Sequence, residues 1–406
     1  MDATCPSPVS LPFEPSSRPG PSGPSGPSGP DRPSRPTVTE VRLSAFKGHR
    51  SAVFPIGPVT LFAGASGSGK SGVLQVYEAL AGLGAGDELG RVFPDPAGCV
   101  PESAGPDAQG RRGFRVGCTV DGPAGPVRLD LAVQAEPELR VVGERLTLGG
   151  RTLLTTALRD PGRSSVQAEW HTAGAVPVTR APFPDDVLGT ALLPLRVAGK
   201  TEGQRQVLAA AEQVVVGLRS VFACDPQPHR MRAPAARGEG RLRRGCDNLA
   251  EVLERTRTGC RRRHARIAAV ARGGCAGPVA GLDVQELADG RVRAVLARDG
   301  RGAVGTPLER LGEGELRYLA LASVLLTGPG VFAVDQVAEV PDALQSLTVL
   351  ADGFDRGMDP RQTGELLALA AEICAGGHLR LVGTAGAATA ARARELPGVT
   401  VVDLGA

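Results

Sequence analysis

Residues 59–80 read VTLFAGASGSGKSGVLQVYEAL, and this stretch limits the chain to few architectures. An apolar β-type run, Val59 to Ala63, leads into Gly64-Ala65-Ser66-Gly67-Ser68-Gly69-Lys70-Ser71, which fits G-x-x-x-x-G-K-[ST]. A helical pattern from Val73 to Leu83 follows at once. Residues without a Cβ let the loop turn inward, so that consecutive backbone N–H groups converge on phosphate oxygens. The positive end of the following helix dipole adds to that field. In such a loop Lys70 lies on the β/γ-phosphates and the Ser71 hydroxyl is a ligand for Mg²⁺. Glycine is common in this chain, at 55 positions, but lysine occurs at only three: Lys47, Lys70 and Lys200. A chance match is therefore rare, on the order of 0.01 per chain. The expected ligand is a nucleoside triphosphate, ATP with Mg²⁺, held by Gly64, Ser66, Gly67, Ser68, Gly69, Lys70 and Ser71.

The rest of the composition narrows the setting. At 406 residues the chain can form one large domain or two ordinary ones. A net charge of +3 does not by itself call for a polyanionic partner. Eight cysteines occur without a C-x-x-C pair, which argues against a metal knuckle or a disulfide framework and for a cytoplasmic protein with reduced thiols. No apolar run approaches the roughly 20 residues of a membrane helix, and the N-terminus lacks the pattern of a signal peptide.

Along the chain, residues 1–37 are rich in Pro, Ser and Gly, including GPSGPSGPSGP at 20–30, and read as a disordered tail. Order is expected from Val38, with strands at 38–46, 52–56 and 59–63. Between about 84 and 220, Gly/Pro breaks alternate with β-like pieces at 113–120, 127–133, 139–148 and 166–170, the pattern of an antiparallel sheet. Helices are expected at 203–222 and 248–270, and a hairpin at 282–297. The last quarter returns to α/β alternation. A helix at 316–326 is followed by a buried strand at 331–335, helices near 342–352 and 361–376, and strands at 379–384 and 399–404. This divides residues 38–405 into a P-loop lobe at 38–83, an inserted β and helical lobe at 84–305, and a closing lobe at 306–405.

Phosphate transfer to water requires a carboxylate on Mg²⁺ and a group that orients the water. Asp335, at the end of the expected 331–334 strand, is the candidate metal ligand, with a strand-end acid in a turn as the alternative reading. Gln336 follows it where a catalytic carboxylate is wanted, and Glu339 could replace it if the loop bends back. Gln336 can orient water but cannot take its proton as a carboxylate does. Gly312 and Gly314, in Leu311-Gly312-Glu313-Gly314-Glu315, open the 316–326 helix and could meet a γ-phosphate. They read equally as a flexible cap with acids in the first turn.

The order of these parts resembles the RecF/SMC/ABC-type ATPase superfamily, and within it the compact AAA-family predicted ATPases related to OLD-type proteins. Ala45-Phe46 before the P-loop, Val142 to Leu146, Cys246 to Leu253 and Leu311 to Leu326 are each similar to a family segment. The resemblance implies an α/β ATPase head that pairs as a homodimer, with ATP between one P-loop and the partner copy's signature loop. It also implies a role in DNA maintenance or defence. Departures from the pattern are Gly312 in place of the signature serine and Asp335-Gln336-Val337-Ala338 after the metal-binding strand. Met358-Asp359-Pro360 stands in for Leu-His-Pro, and Thr384-Ala385-Gly386 lacks the switch histidine. Slow hydrolysis follows from these changes. A catalytically degenerate nucleotide switch or scaffold for a partner protein remains the alternative, and a P-loop small-molecule kinase is a more distant one. The Arg-rich stretch 229–266 suits either nucleic acid or an ordinary solvated face, since acids are interleaved with its arginines.

Overall fold

The computed structural model describes residues 35–173, 177–300, 304–327 and 346–405. The expected tail lies almost wholly outside this set. So do the expected 331–335 strand and, with it, Asp335, Gln336 and Glu339.

The chain opens with β1 (Thr37–Phe46) and β2 (His49–Pro55), paired antiparallel, and then β3 (Val59–Ala63), α1 (Lys70–Ala85) and the short α2 (Leu89–Val92). Six more antiparallel strands follow: β4 (Arg112–Asp121), β5 (Val127–Glu136), β6 (Arg140–Leu148), β7 (Arg151–Ala157), β8 (Ser165–His171) and β9 (Val178–Pro184). They join the first two in one eight-stranded sheet of order β2-β1-β4-β5-β6-β7-β8-β9. The expected antiparallel region is therefore present, but β1 and β2 belong to it as well. Strands β7 and β9 were not evident from the sequence.

Next come α3 (Gly189–Arg196), α4 (Glu202–Arg219), β10 (Val221–Ala223) and α5 (Pro228–Met231). Helix α4 carries Val207, Ala210, Ala211, Val214 and Leu218 on one side and buries them under the antiparallel sheet. The Thr201 hydroxyl caps it by accepting from the Gln204 N–H at 3.2 Å. The single helix expected over 248–270 is in fact two, α6 (Leu249–Gly259) and α7 (Arg261–Gly274), broken at Cys260. A three-stranded sheet of β11 (Val279–Glu286), β12 (Val292–Arg298) and β13 (Thr306–Pro307) precedes α8 (Glu313–Leu326).

The closing elements are β14 (Leu347–Ala351), α9 (Pro360–Cys374), β15 (Leu379–Ala385), α10 (Ala387–Ala393) and β16 (Val399–Asp403). They complete a parallel sheet of order β10-β14-β15-β3-β16. Every residue of β3, β14 and β15 is buried, as expected for inner parallel strands covered on both faces. One face packs on α1 and the antiparallel sheet, and the other on the core that α6 to α9 share. The helix expected near 342–352 is thus corrected over 347–351. LTVLA is a short apolar run whose periodicity suits a buried helix or strand alike, and hydrogen bonding to β10 and β15 makes it a strand.

Candidate nucleotide-binding site

The loop between β3 and α1 is shaped by its glycines. Gly69 has φ of +92°, and a Cβ there would lie 2.4 Å from His49 Nε2. Gly64 has φ of +149°, and a Cβ there would meet the Leu404 carbonyl at 2.5 Å. At both positions, therefore, glycine is required by backbone conformation and by space. His49, on β2, braces the loop from behind, with Nε2 3.1 Å from the Gly69 carbonyl and its ring edge-on to Phe54. Ser66 and Gly67 are exposed at the tip.

Lys70 Nζ folds back over the loop and donates to the Gly64 and Ala65 carbonyls, both at 2.8 Å. The N-terminus of α1 has no side-chain cap, and the buried Ser68 hydroxyl oxygen has no hydrogen-bond partner. An ammonium group, an uncapped helix start and an orphaned hydroxyl in one loop form a donor set that suits a polyphosphate. All seven loop residues expected to hold phosphate are together here.

An acid that sequence reasoning missed lies beside Ser71. Ser71 Oγ donates to Asp352 Oδ1 at 3.1 Å. Asp352 directly follows β14, and Ser71 lies in the first turn of α1, so both stand at the carboxyl end of the parallel sheet. Thr384, at the end of β15, donates through Oγ1 to Asp352 Oδ1 at 2.6 Å and accepts from the Gly353 N–H at 2.7 Å. The carboxylate is thereby oriented from both neighbouring elements. A hydroxyl and a carboxylate are the hard oxygen ligands that Mg²⁺ takes alongside phosphate. The expected metal ligand, Asp335, lies outside the described residues, and the acid found beside Ser71 is Asp352.

Only weak local signals mark Asp352 in the sequence. Thr348 and Val349 are β-branched within an apolar run ended by Asp-Gly, and Met358-Asp359-Pro360 follows at a short, fixed distance. Asp359 now has a structural role: it caps α9, accepting from the Gln362 N–H at 2.8 Å, with Pro360 at the first helical position. The residue after Asp352 is Gly353. The next acid, Asp355, accepts from the Gly386 N–H and from the Thr389 hydroxyl, which occupies it at the start of α10.

The signature-like loop is partly internally satisfied. Gly312 is exposed, but its N–H donates to Glu315 Oε2 at 3.0 Å, while Glu315 Oε1 accepts from the Ala276 N–H. Gly314 lies against the Gly357 carbonyl, where a Cβ would approach to 2.3 Å. This contact fixes the start of α8 on the loop that follows Asp352.

Beside Ser71 and Asp352 opens a cleft of about 320 Å³, lined also by Gln75, Asp225, Arg244 and Arg356. Arg244 is paired with Glu78. Other arginines of the 229–266 stretch are likewise tied to the protein itself: Arg237 to Glu254 and Glu286, Arg243 to Asp247, and Arg266 to Glu372. Arg261 and Arg262, at the start of α7, are exposed.

A glycine-rich loop after β3, an aspartate after β14, and β15 between these two strands form a P-loop type of α/β fold. No family model matches the chain, and no curated protein matches it. Similar solved structures include an SMC head bound to the C-terminal winged-helix domain of ScpA, at 13% identity and a TM-score of 0.46, covering 86% of this chain and 90% of that one. The SMC head domain from Thermotoga maritima is 12% identical over 87% of this chain and 90% of its own, with a TM-score of 0.40. An SMC head with an extended coiled coil, bound to the C-terminal domain of ScpA derived from Pyrococcus furiosus, is 12% identical, with coverages of 88% and 92% and a TM-score of 0.45. Among the described residues no helix is long and apolar enough to cross a membrane, and no cluster of three or more His, Cys, Asp or Glu could hold a metal ion on its own.

Proposed function

We propose that the chain binds ATP with Mg²⁺ and turns it over slowly, as an ATP-gated homodimer of the SMC-head type. The observation that carries this reading is the Ser71–Asp352 hydrogen bond beside an uncapped, glycine-shaped phosphate loop. Gly64 to Ser71 would hold the phosphates, and Ser71 and Asp352 would hold the metal. When bound, Mg²⁺ supplies charge neutralisation across the terminal phosphates.

The chain's own residues account for slow turnover. Gly353 offers no general base next to Asp352, and Asp355 is committed to Gly386 and Thr389. Loss of a positioned base lowers a proton-transfer rate by about 10²–10⁴. The same observation favours a second reading, in which the protein is a nucleotide switch that orders a surface for a partner without hydrolysis. Exposed Gly312 at the head of α8 is where a second copy would approach the phosphates in trans. A cytoplasmic setting is supported by the cysteine pattern, and a role in DNA maintenance or defence by the sequence resemblance. The arginines already paired within 229–266 weaken the case for that stretch as a nucleic-acid surface.

The test is steady-state phosphate release from Mg²⁺-ATP across a range of protein concentrations. Slow release that rises more than linearly with protein and disappears in Lys70→Ala supports the ATP-gated dimer. Binding without release supports the switch. Release that persists in Lys70→Ala overturns both.

A further inference from the structure

Of the two arginines in the cleft beside Asp352, Arg244 is neutralised by Glu78. Arg356 is not: among the described residues its guanidinium has neither an ion-pair partner nor a hydrogen-bond acceptor. Arg356 is exposed, and its side chain lies back along the Gly353 backbone. A Cβ built on Gly353 would lie 2.9 Å from Arg356 Nε and 3.0 Å from Nη2. The guanidinium therefore covers the side-chain position of the residue that follows the metal-binding aspartate.

Gly353 makes this placement possible twice over. It has φ of +66°, a left-handed conformation that disfavours other residues, and it has no side chain to displace the guanidinium. A second cation stands close by. Arg317 on α8 also lacks an ion-pair partner among the described residues. Burial, together with repulsion from Arg356, pushes its pKa below the usual arginine range, which Asp225 and Glu313 only partly offset. Arg317 therefore feels the charge of Arg356, and neither guanidinium has an ion-pair partner among the described residues.

We propose that Arg356 is a specificity-determining residue that reads the terminal phosphate of the bound nucleotide within the same chain. This rests on the nucleotide site proposed above. A planar guanidinium fork matches a phosphate oxygen pair in a bidentate way and is weakly hydrated, so its charge is readily turned to the ligand. Here a cation occupies the place where a base would activate water, an arrangement that favours holding a triphosphate over cleaving it. Arg356 thereby makes the site distinguish triphosphate from diphosphate.

The test is equilibrium binding of the non-hydrolysable triphosphate AMP-PNP and of ADP, each with Mg²⁺, to the full chain. The variants are Arg356→Ala, Arg356→Lys and Lys70→Ala, each checked for an unchanged thermal melt. Loss of one charge-assisted hydrogen-bonding group predicts about 10-fold to 100-fold weaker AMP-PNP binding in Arg356→Ala. ADP binding stays within about twofold, and Arg356→Lys recovers part of the loss. An equal loss for both nucleotides, or none for either, overturns the role of Arg356. Lys70→Ala separates the two claims. If it leaves both affinities intact, the nucleotide site itself is wrong. If it abolishes binding while Arg356→Ala leaves the AMP-PNP to ADP ratio unchanged, only the present inference fails.

Discussion

Ser71 and Asp352, 281 residues apart in sequence, meet through a 3.1 Å hydrogen bond at the carboxyl end of the parallel sheet. One stands in the first turn of the helix after β3 and the other at the end of β14, with β15 running between the two strands. Replacing Asp352 with Asn keeps an acceptor for Ser71 and Thr384 but removes the charge. Asp352→Asn is expected to keep its melting temperature within a few degrees and to lose the Mg²⁺-dependent part of its ATP affinity. Titrations in Mg²⁺ and in chelator check this, and an unchanged Mg²⁺ dependence would remove Asp352 from the metal site.

Thr384 supports that carboxylate from β15, in the segment where a switch histidine was expected by resemblance. Thr384→Val keeps the shape, leaves the half-buried Gly353 N–H without its acceptor and frees Asp352 to rotate. Leaving such a donor unsatisfied costs about 1–3 kcal/mol. Urea unfolding should show a loss of that size, with weaker Mg²⁺-ATP binding in the same variant. A fully stable variant with normal binding would show that Thr384 has no orienting role.

The phosphate loop was legible from sequence because its constraints are local. A Gly at a fixed offset, then Lys and Ser, needs nothing from the rest of the chain. Asp352 was not legible because its role depends on tertiary pairing. LTVLA becomes a strand only because β10 and β15 flank it, and seen alone it also suited the end of a helix. The antiparallel region was readable from its alternating pieces. Strands β7 and β9 were missed because RTLLTTA and VTRAPFP do not alternate cleanly and the second carries two prolines. The break at Cys260 between α6 and α7 had no Gly-Pro signal, since Gly259 alone precedes it. Val142 to Leu146 was recognised only as a similar segment, and the fold supplies its reason: buried Glu144 accepts from the Gly189 and Thr190 N–H groups, both at 2.7 Å, and so caps α3.

Glu144 also gives the fold a pH dependence. Burial pushes its carboxyl above the ordinary value near 4.5, although hydrogen bonds from Thr190 and Gly189 pull it down in part. The folded chain therefore holds this proton more tightly than the unfolded chain does. The corresponding stability is full below the ordinary glutamate value and is lost as pH rises through the elevated one. In unfolding titrations at several pH values, the wild-type advantage over Glu144→Gln should shrink as pH rises across that window. An advantage that grows with pH would contradict the burial argument.

The glycines of the phosphate loop differ in what they tolerate. Gly69→Ala places a methyl into the His49 ring and forces a left-handed backbone, whereas Gly67→Ala, at φ of +85°, meets no atom within 4 Å. The backbone term alone is about 1–2 kcal/mol in each case. Denaturant unfolding should therefore show a clearly larger loss for Gly69→Ala. Equal losses would mean that His49 yields freely and does not brace the loop.

The most direct test of the account is calorimetric titration of Mg²⁺-ATP into the wild type and Lys70→Ala. The account predicts saturable one-site binding in the wild type and none in the variant, with both proteins melting alike. Equal binding by the two proteins, or no binding by the wild type, would contradict it.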